Sequence, residues 1–262
     1  MYRETIDAVS AAGIKKLDSC NKKLKSYFIA SILAGLFVGF GSLLIFTISG
    51  QLQDQPYTKV LMGASFGVAL SLVIMAGSEL FTGNNFIMGV LYLEKKARVK
   101  EIIKLWVVCY LGNFVGAAII SLFFVLAGLA TTGEGLPSDA TGMALQNASA
   151  IKMNADFMPL FFKGILCNIL VCLAVMLGIK MKSESGKLIM IWWCLFTFIT
   201  CGFEHSIANM TIFMSSLIPN HIEAVSFGGM GFNLLATTSG NIVGGLLLAI
   251  AYVATSNKKI KE

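Results

Sequence analysis

The chain has 262 residues, of which 56% are hydrophobic and only 13% charged, with a formal net charge of +6 and a mean hydropathy of +0.78. That balance excludes an ordinary soluble domain and places the chain in lipid. The cations sit in short clusters beside apolar stretches, where positive-inside topology accounts for them, so nucleic acid is set aside as a partner.

Residues 1–25 set Ile6, Val9, Ile14 and Leu17 among Lys and Asp, the pattern of a cytoplasmic interfacial helix lying along the membrane surface. The segment is too short and too polar to span. It also lacks the apolar core and cleavage site of a signal peptide, so it is expected to remain in the mature protein. Six windows of spanning length follow, at residues 27–49, 60–93, 105–132, 158–179, 188–218 and 224–257. The first, third and sixth carry no charge at all. The connections between them, including residues 133–156, are read as loops.

The second and fifth windows are different. Ala76-Gly77-Ser78-Glu79-Leu80-Phe81-Thr82-Gly83-Asn84 returns in outline as Cys201-Gly202-Phe203-Glu204-His205-Ser206-Ile207-Ala208-Asn209, with Gly, Glu and Asn at the same spacing. Gly112-Asn113-Phe114-Val115-Gly116-Ala117 likewise returns as Gly240-Asn241-Ile242-Val243-Gly244-Gly245. A carboxylate deep in hydrocarbon is costly and rarely idle. Paired interruptions at corresponding places in two halves point to a transporter built from inverted repeats, with its site between the halves. The expected fold is therefore an all-α membrane protein of six transmembrane helices. Two inverted three-helix repeats, 26–133 and 157–257, make one transmembrane domain over 1–262, with helices two and five broken.

Orientation follows from the cations. Lys15, Lys16, Lys22, Lys23, Lys25, then Lys95, Lys96, Arg98, Lys100, Lys104, then Lys180, Lys182, Lys187 and finally Lys258, Lys259, Lys261 fall on one side. Across the opposite connections the only cations are Lys59 and Lys152. Both termini are therefore expected in the cytoplasm, in a multi-pass protein of the inner (cytoplasmic) membrane.

Six cysteines show no CxxC spacing and there are only two histidines, His205 and His221, so neither a metal nor a cofactor is expected. At a helix break, Glu79 and Glu204 most naturally accept hydrogen bonds from the loop's own N–H groups, a scaffold role shared with Asn84 and Asn209 of the same motifs. Asn168 and Asn241 suit interhelical hydrogen bonding. Lys163, near a helix end, suits snorkelling. Gly35 and Gly39, Gly112 and Gly116, and Gly240 and Gly244 are spaced for close helix packing.

Gly202-Phe203-Glu204-His205-Ser206-Ile207-Ala208-Asn209-Met210, Leu80-Phe81-Thr82-Gly83, Gly164-Ile165-Leu166-Cys167-Asn168 and Ser239-Gly240-Asn241-Ile242-Val243-Gly244-Gly245 together resemble the formate/nitrite transporters, in the right order over nearly the whole chain. The resemblance implies an aquaporin-like fold in a homopentamer, with a separate pore in each protomer for formate, nitrite or hydrosulfide. It makes His205 the central pore histidine, Thr82 the loop threonine facing it and Lys152 the cation of the outer vestibule, with Asn168 and Asn241 beside them. Phe81 and Phe203 are the candidate hydrophobic gates. Gly83-Asn84-Asn85 departs from the Ser- and Thr-rich continuation of formate-type members, which leans the reading toward the hydrosulfide branch.

The residue chemistry agrees with that resemblance. An anion crossing about 30 Å of hydrocarbon needs its charge compensated, and half-helix N-termini, Lys152 and His205 can each contribute. The expected function is a channel or transporter for small anions of weak acids, with His205, neutral at rest, assisting transient protonation. It is not expected to be an enzyme; partners are the anions, protons and the bilayer. Two alternatives stay open. One is a neutral-solute pore of aquaporin type. The other is an intramembrane hydrolase using Glu204 and His205, which lacks a well-placed nucleophile because Ser206 is a sequence neighbour of its base.

Overall fold

A computed structural model describes residues 2–53, 55–130, 139–219 and 221–256. The expected cytoplasmic cluster Lys258, Lys259, Lys261 lies outside those residues, as does the end of the third window. Among the described residues the chain is all-helical, in the order α1 Arg3–Lys22, α2 Leu24–Leu52, α3 Thr58–Met75, α4 Phe81–Leu93, α5 Val99–Leu126, α6 Asp139–Met153, α7 Phe157–Lys180, α8 Glu184–Thr200, α9 Ser206–Leu217 and α10 Phe227–Thr255. Five of these helices, α2, α3, α5, α7 and α10, are long and apolar enough to cross a membrane.

The second and fifth windows are both split, α3 from α4 and α8 from α9. Each split begins at a glycine in the left-handed region, Gly77 at φ 76° and Gly202 at φ 73°, a conformation that side chains with a Cβ rarely adopt. After Gly202, Phe203 N–H reaches back to Phe198 O, while Gly202 N–H bonds Ile199 O, the paired bonds of a Schellman stop. Leu80 and His205 then run extended into the next helix.

An interrupted helix strands backbone groups where water cannot reach them, so they must be satisfied by the protein. One asparagine does this at each split. Asn113 on α5 accepts from Phe81 N–H at 2.9 Å and donates to Ser31 O and Glu79 O at 2.7 and 2.9 Å. Asn241 on α10 accepts from Ser206 N–H at 3.0 Å and donates to Gly164 O and Glu204 O at 2.8 and 2.9 Å. Glu79 N–H bonds Ala30 O on α2, and Glu204 N–H bonds Lys163 O on α7. Every partner of one clamp thus has its counterpart in the other.

Close approach holds these clamps in range. A Cβ on Gly35 would collide with Asn113 O, and one on Gly240 with Phe161 O, so α2 lies tight on α5 and α7 tight on α10. The spaced glycines therefore pack helices within one chain.

Two expectations are corrected. Residues 139–153, expected as part of a loop, form α6, whose face carrying Leu145, Ser149 and Met153 is buried. The stripe of α1 is not left for a lipid surface: Ile6 and Val9 are fully buried and Leu17 nearly so, while Ile14 faces outward. Gly13 sits so close to Ile87 and Leu91 of α4 that a methyl group there would collide with them.

Candidate functional site

The N-termini of α4 and α9 meet. Thr82 Oγ1 and His205 Nε2 lie 2.9 Å apart, both residues being buried. The imidazole is the N-cap of α9: its Nδ1 accepts from Ala208 N–H at 3.1 Å. A backbone N–H can only donate, so Nδ1 is the unprotonated nitrogen and Nε2 carries the hydrogen. His205 therefore donates to Thr82, which leaves the threonine's own O–H free to point elsewhere.

A cavity of about 800 Å³ reaches His205 of this pair, walled by α2, α3, α6, α8 and α9. Met143, Asn147 and Ile151 of α6 line one wall, and Phe198, Phe203, His205 and Asn209 lie on its α8–α9 side. Among the described residues, the charged ones in its lining are Lys59 and Lys152, both cations. A second void, of about 10 Å³, also borders His205, between Val38, Phe66, Leu70, Leu80, Val171, Leu195 and Phe198, room for about one water. The Phe198 ring stacks on His205, with centroids 6.0 Å apart and planes at 23°.

Both motif carboxylates are held by a lysine and an asparagine. Glu204 accepts from Lys152 Nζ and Asn209 Nδ2, each at 2.7 Å; Glu79 accepts from Lys16 Nζ at 2.6 Å and Asn84 Nδ2 at 3.1 Å. Side chains take the place of the loop N–H groups expected from the sequence, because the asparagine clamps and the carbonyls of α2 and α7 already occupy part of the loop backbone. The two ion pairs lie toward opposite ends of α2. Glu79 is bonded near its start through Ala30, whereas α6, which carries Lys152, meets it at Gly50.

Asn168 donates from Nδ2 to Thr82 O at 3.1 Å and to Asn241 O at 2.6 Å, so it ties the two halves together behind the Thr82–His205 pair. Asn84 also donates to Tyr27 OH at 3.1 Å, and Asn209 to Asn233 Oδ1 at 2.9 Å. The two aromatic candidates part company. Phe203 lines the cavity, while Phe81 is enclosed by Tyr110 and Trp106, 5.0 and 6.3 Å away in edge-on contacts. Lys163 is exposed on α7. Ser206 Oγ, the possible nucleophile, bonds nothing, His205 included. Among the described residues no cluster of His, Cys, Asp and Glu could hold a metal ion.

Three residues escaped the sequence reading. Asn113 lay in the duplicated Gly-Asn motif, which was signal enough. Lys16 and Phe198 carried no local mark: Lys16 lies 63 positions from Glu79, and Phe198 is brought over His205 by the turn between them.

A profile of the family described as formate/nitrite transporter matches residues 3–255. Among relatives, the nitrite transporter NirC of Escherichia coli (strain K12) is 42% identical over 250 residues, 94% of this chain and 88% of that protein. The formate channel BtFdhC of Bacillus thuringiensis is 30% identical over 256 residues, 97% and 94% of the two chains. Among solved structures, an FNT family ion channel superposes with a TM-score of 0.90 at 34% identity, covering 97% of this chain and 99% of its own. A pentameric formate channel with formate bound superposes at 0.79 with 30% identity, covering 89% and 97%. With the profile match running from α1 to the end of α10 and the fold shared with a channel of that family, the chain belongs to the formate/nitrite transporter family.

Proposed function

We propose that the chain is a pore for small monovalent anions of weak acids, nitrite and formate foremost. The observation that carries this reading is the Thr82–His205 hydrogen bond, set where two interrupted helices meet beside a cavity that Lys59 and Lys152 line. In this reading α3 with α4, and α8 with α9, each count as one span. The membrane domain then has six spans in two inverted repeats, 26–133 and 157–257, with α1 and both termini on the cytoplasmic side of the inner membrane. By likeness to the pentameric formate channel, five copies assemble, each with its own pore. The hydrosulfide lean rests on Gly83, which packs against Val175 of α7, so nitrite and formate take precedence.

An anion drawn in by Lys59 and Lys152 meets the Thr82 O–H, oriented by the Nε2–H behind it, at the edge of an apolar constriction. The bare ion cannot enter cheaply, whereas its neutral acid can. Cavity water gives a proton to Nδ1, which releases the Ala208 cap; Nε2–H then passes to Thr82 as the Thr82 hydroxyl proton passes to the anion, so the ring ends neutral with its hydrogen on Nδ1. The neutral acid sheds its proton to water beyond the constriction. The ring resets when Nδ1 returns its proton to cavity water and Nε2 takes one back through Thr82, so that one proton crosses with each anion. Glu79, Glu204, Asn84 and Asn209 hold the loops, and Asn168 and Asn241 hold Thr82 and the α9 N-terminus.

Purified protein in liposomes tests the function directly. Saturable nitrite and formate flux that rises as pH falls is the expected result; glycerol swelling without anion flux would overturn it in favour of a neutral-solute pore. His205→Asn removes the relay, and a variant that kept both the wild-type rate and its pH dependence would exclude a proton role for this histidine.

A further inference from the structure

Asn85 is the residue that the transport reading leaves without a task. It is fully buried on α4, one turn beyond Thr82, and neither its Oδ1 nor its Nδ2 bonds any protein group. Asn168 is also fully buried, and its Oδ1 is likewise unbonded while its Nδ2 serves Thr82 O and Asn241 O. Both side chains press on the same residue of α10. A Cβ on Gly245 would sit 2.7 Å from Asn85 Cβ and 3.1 Å from Asn168 Nδ2, so two side chains that together hold three unbonded polar atoms meet at one glycine.

Leaving buried amide groups unbonded in the interior of a membrane protein is costly. A molecule that satisfies them must both donate, to the two carbonyl oxygens, and accept, from the Asn85 amide. An anion would face two carbonyl oxygens and a cation the amide hydrogens, so neither fits. Water meets the demand and needs two to four such partners.

We propose that Asn85, Asn168 and Gly245 form a buried single-water site, and that this water fixes Asn168, and through it Thr82, against the pore histidine. Asn85 is thus a positioning residue at the far end of the chain His205–Thr82–Asn168. The inference deepens the transport reading in its second half, while the water site itself stands apart from which solute crosses.

The test uses the full-length protein in nanodiscs, imaged finely enough to show ordered waters, with flux measured on the same preparations. Density within hydrogen-bond distance of both Asn85 and Asn168 Oδ1 is expected in the wild type and absent in Asn85→Leu. Asn85→Leu should transport roughly fivefold more slowly, the rate equivalent of one net hydrogen bond, with a displaced pH profile. Asn85→Ser, which keeps a donor and an acceptor and leaves room for water, should recover both. A wild-type map in which Asn85 bonds a protein group directly overturns the site. Wild-type rate and pH profile in Asn85→Leu overturn its positioning role. Neither result touches the anion-transport reading, which fails only if the wild type carries no anion.

Discussion

Asn113 and Asn241 show how much one side chain can carry. Each bonds three backbone groups, two of them left bare by a broken helix and the third a carbonyl of the neighbouring helix, so alanine at either place should cost roughly 2–4 kcal/mol. Thermal unfolding of the detergent-solubilised protein checks this. Aspartate at the same place keeps the acceptor but sets a carboxylate oxygen against two carbonyl oxygens, and should cost at least as much as alanine. Lys152 is the other decisive residue, because Glu204 has only 5% of its side chain exposed and Lys152 bonds it at 2.7 Å. Lys152→Ala should lower flux roughly tenfold, since it removes a vestibule charge and leaves a buried carboxylate without its cation. The double variant Lys152→Ala with Glu204→Gln should regain stability but not flux. Additive stability losses in that cycle would show the pair to be uncoupled.

Among the helices, spacing decides what is tolerated. Gly240→Ala pushes a methyl group into Phe161 O and should separate α7 from α10 at a cost of roughly 1–3 kcal/mol. Gly231→Ala on the same helix has nothing within 4 Å and should be neutral or slightly stabilising; unfolding temperatures of the two separate packing from propensity. The docking of α1 has a pH signature. Arg3 donates to both oxygens of Glu94, at 3.1 and 2.8 Å, and this bonding holds the carboxyl below its ordinary range. A depressed carboxyl contributes stability above its unfolded value, about 4.3. That contribution is lost as pH falls from there through the folded value. Because the arginine is partly solvated, the effect is small, about 0.5 kcal/mol. Proteolysis of α1 should quicken below about pH 4 and be nearly pH-independent in Glu94→Gln.

At the scale of the whole molecule, the sequence told where the helices break because Gly-x-Glu within an apolar run has few other physical explanations, and its repetition told that the breaks correspond. Thr82 and His205 were legible through the family's motifs, and the structure places them in hydrogen-bond contact. What stayed hidden depended on distance along the chain. Lys16 lies 63 positions before its partner Glu79, and nothing local distinguishes it from its neighbour Lys15. Phe198 is one aromatic among 19 phenylalanines, and only the turn at Gly202 lays it over the imidazole. For α6 the reason is composition: alternating small and polar residues such as Ala140, Thr141, Gly142 and Asn147 give too faint a period to announce a helix.

The matched ion pairs Lys16–Glu79 and Lys152–Glu204 bear on traffic. Each sets an ammonium against the motif carboxylate of one half of the fold, so the two asparagine-clamped turns carry the same charge balance. On the transport reading neither half then biases direction, and the protein should run as readily backwards as forwards. Concentration and proton gradients alone would then set the sense of net movement, and vesicles loaded inside or outside with the same anion should equilibrate at equal initial rates.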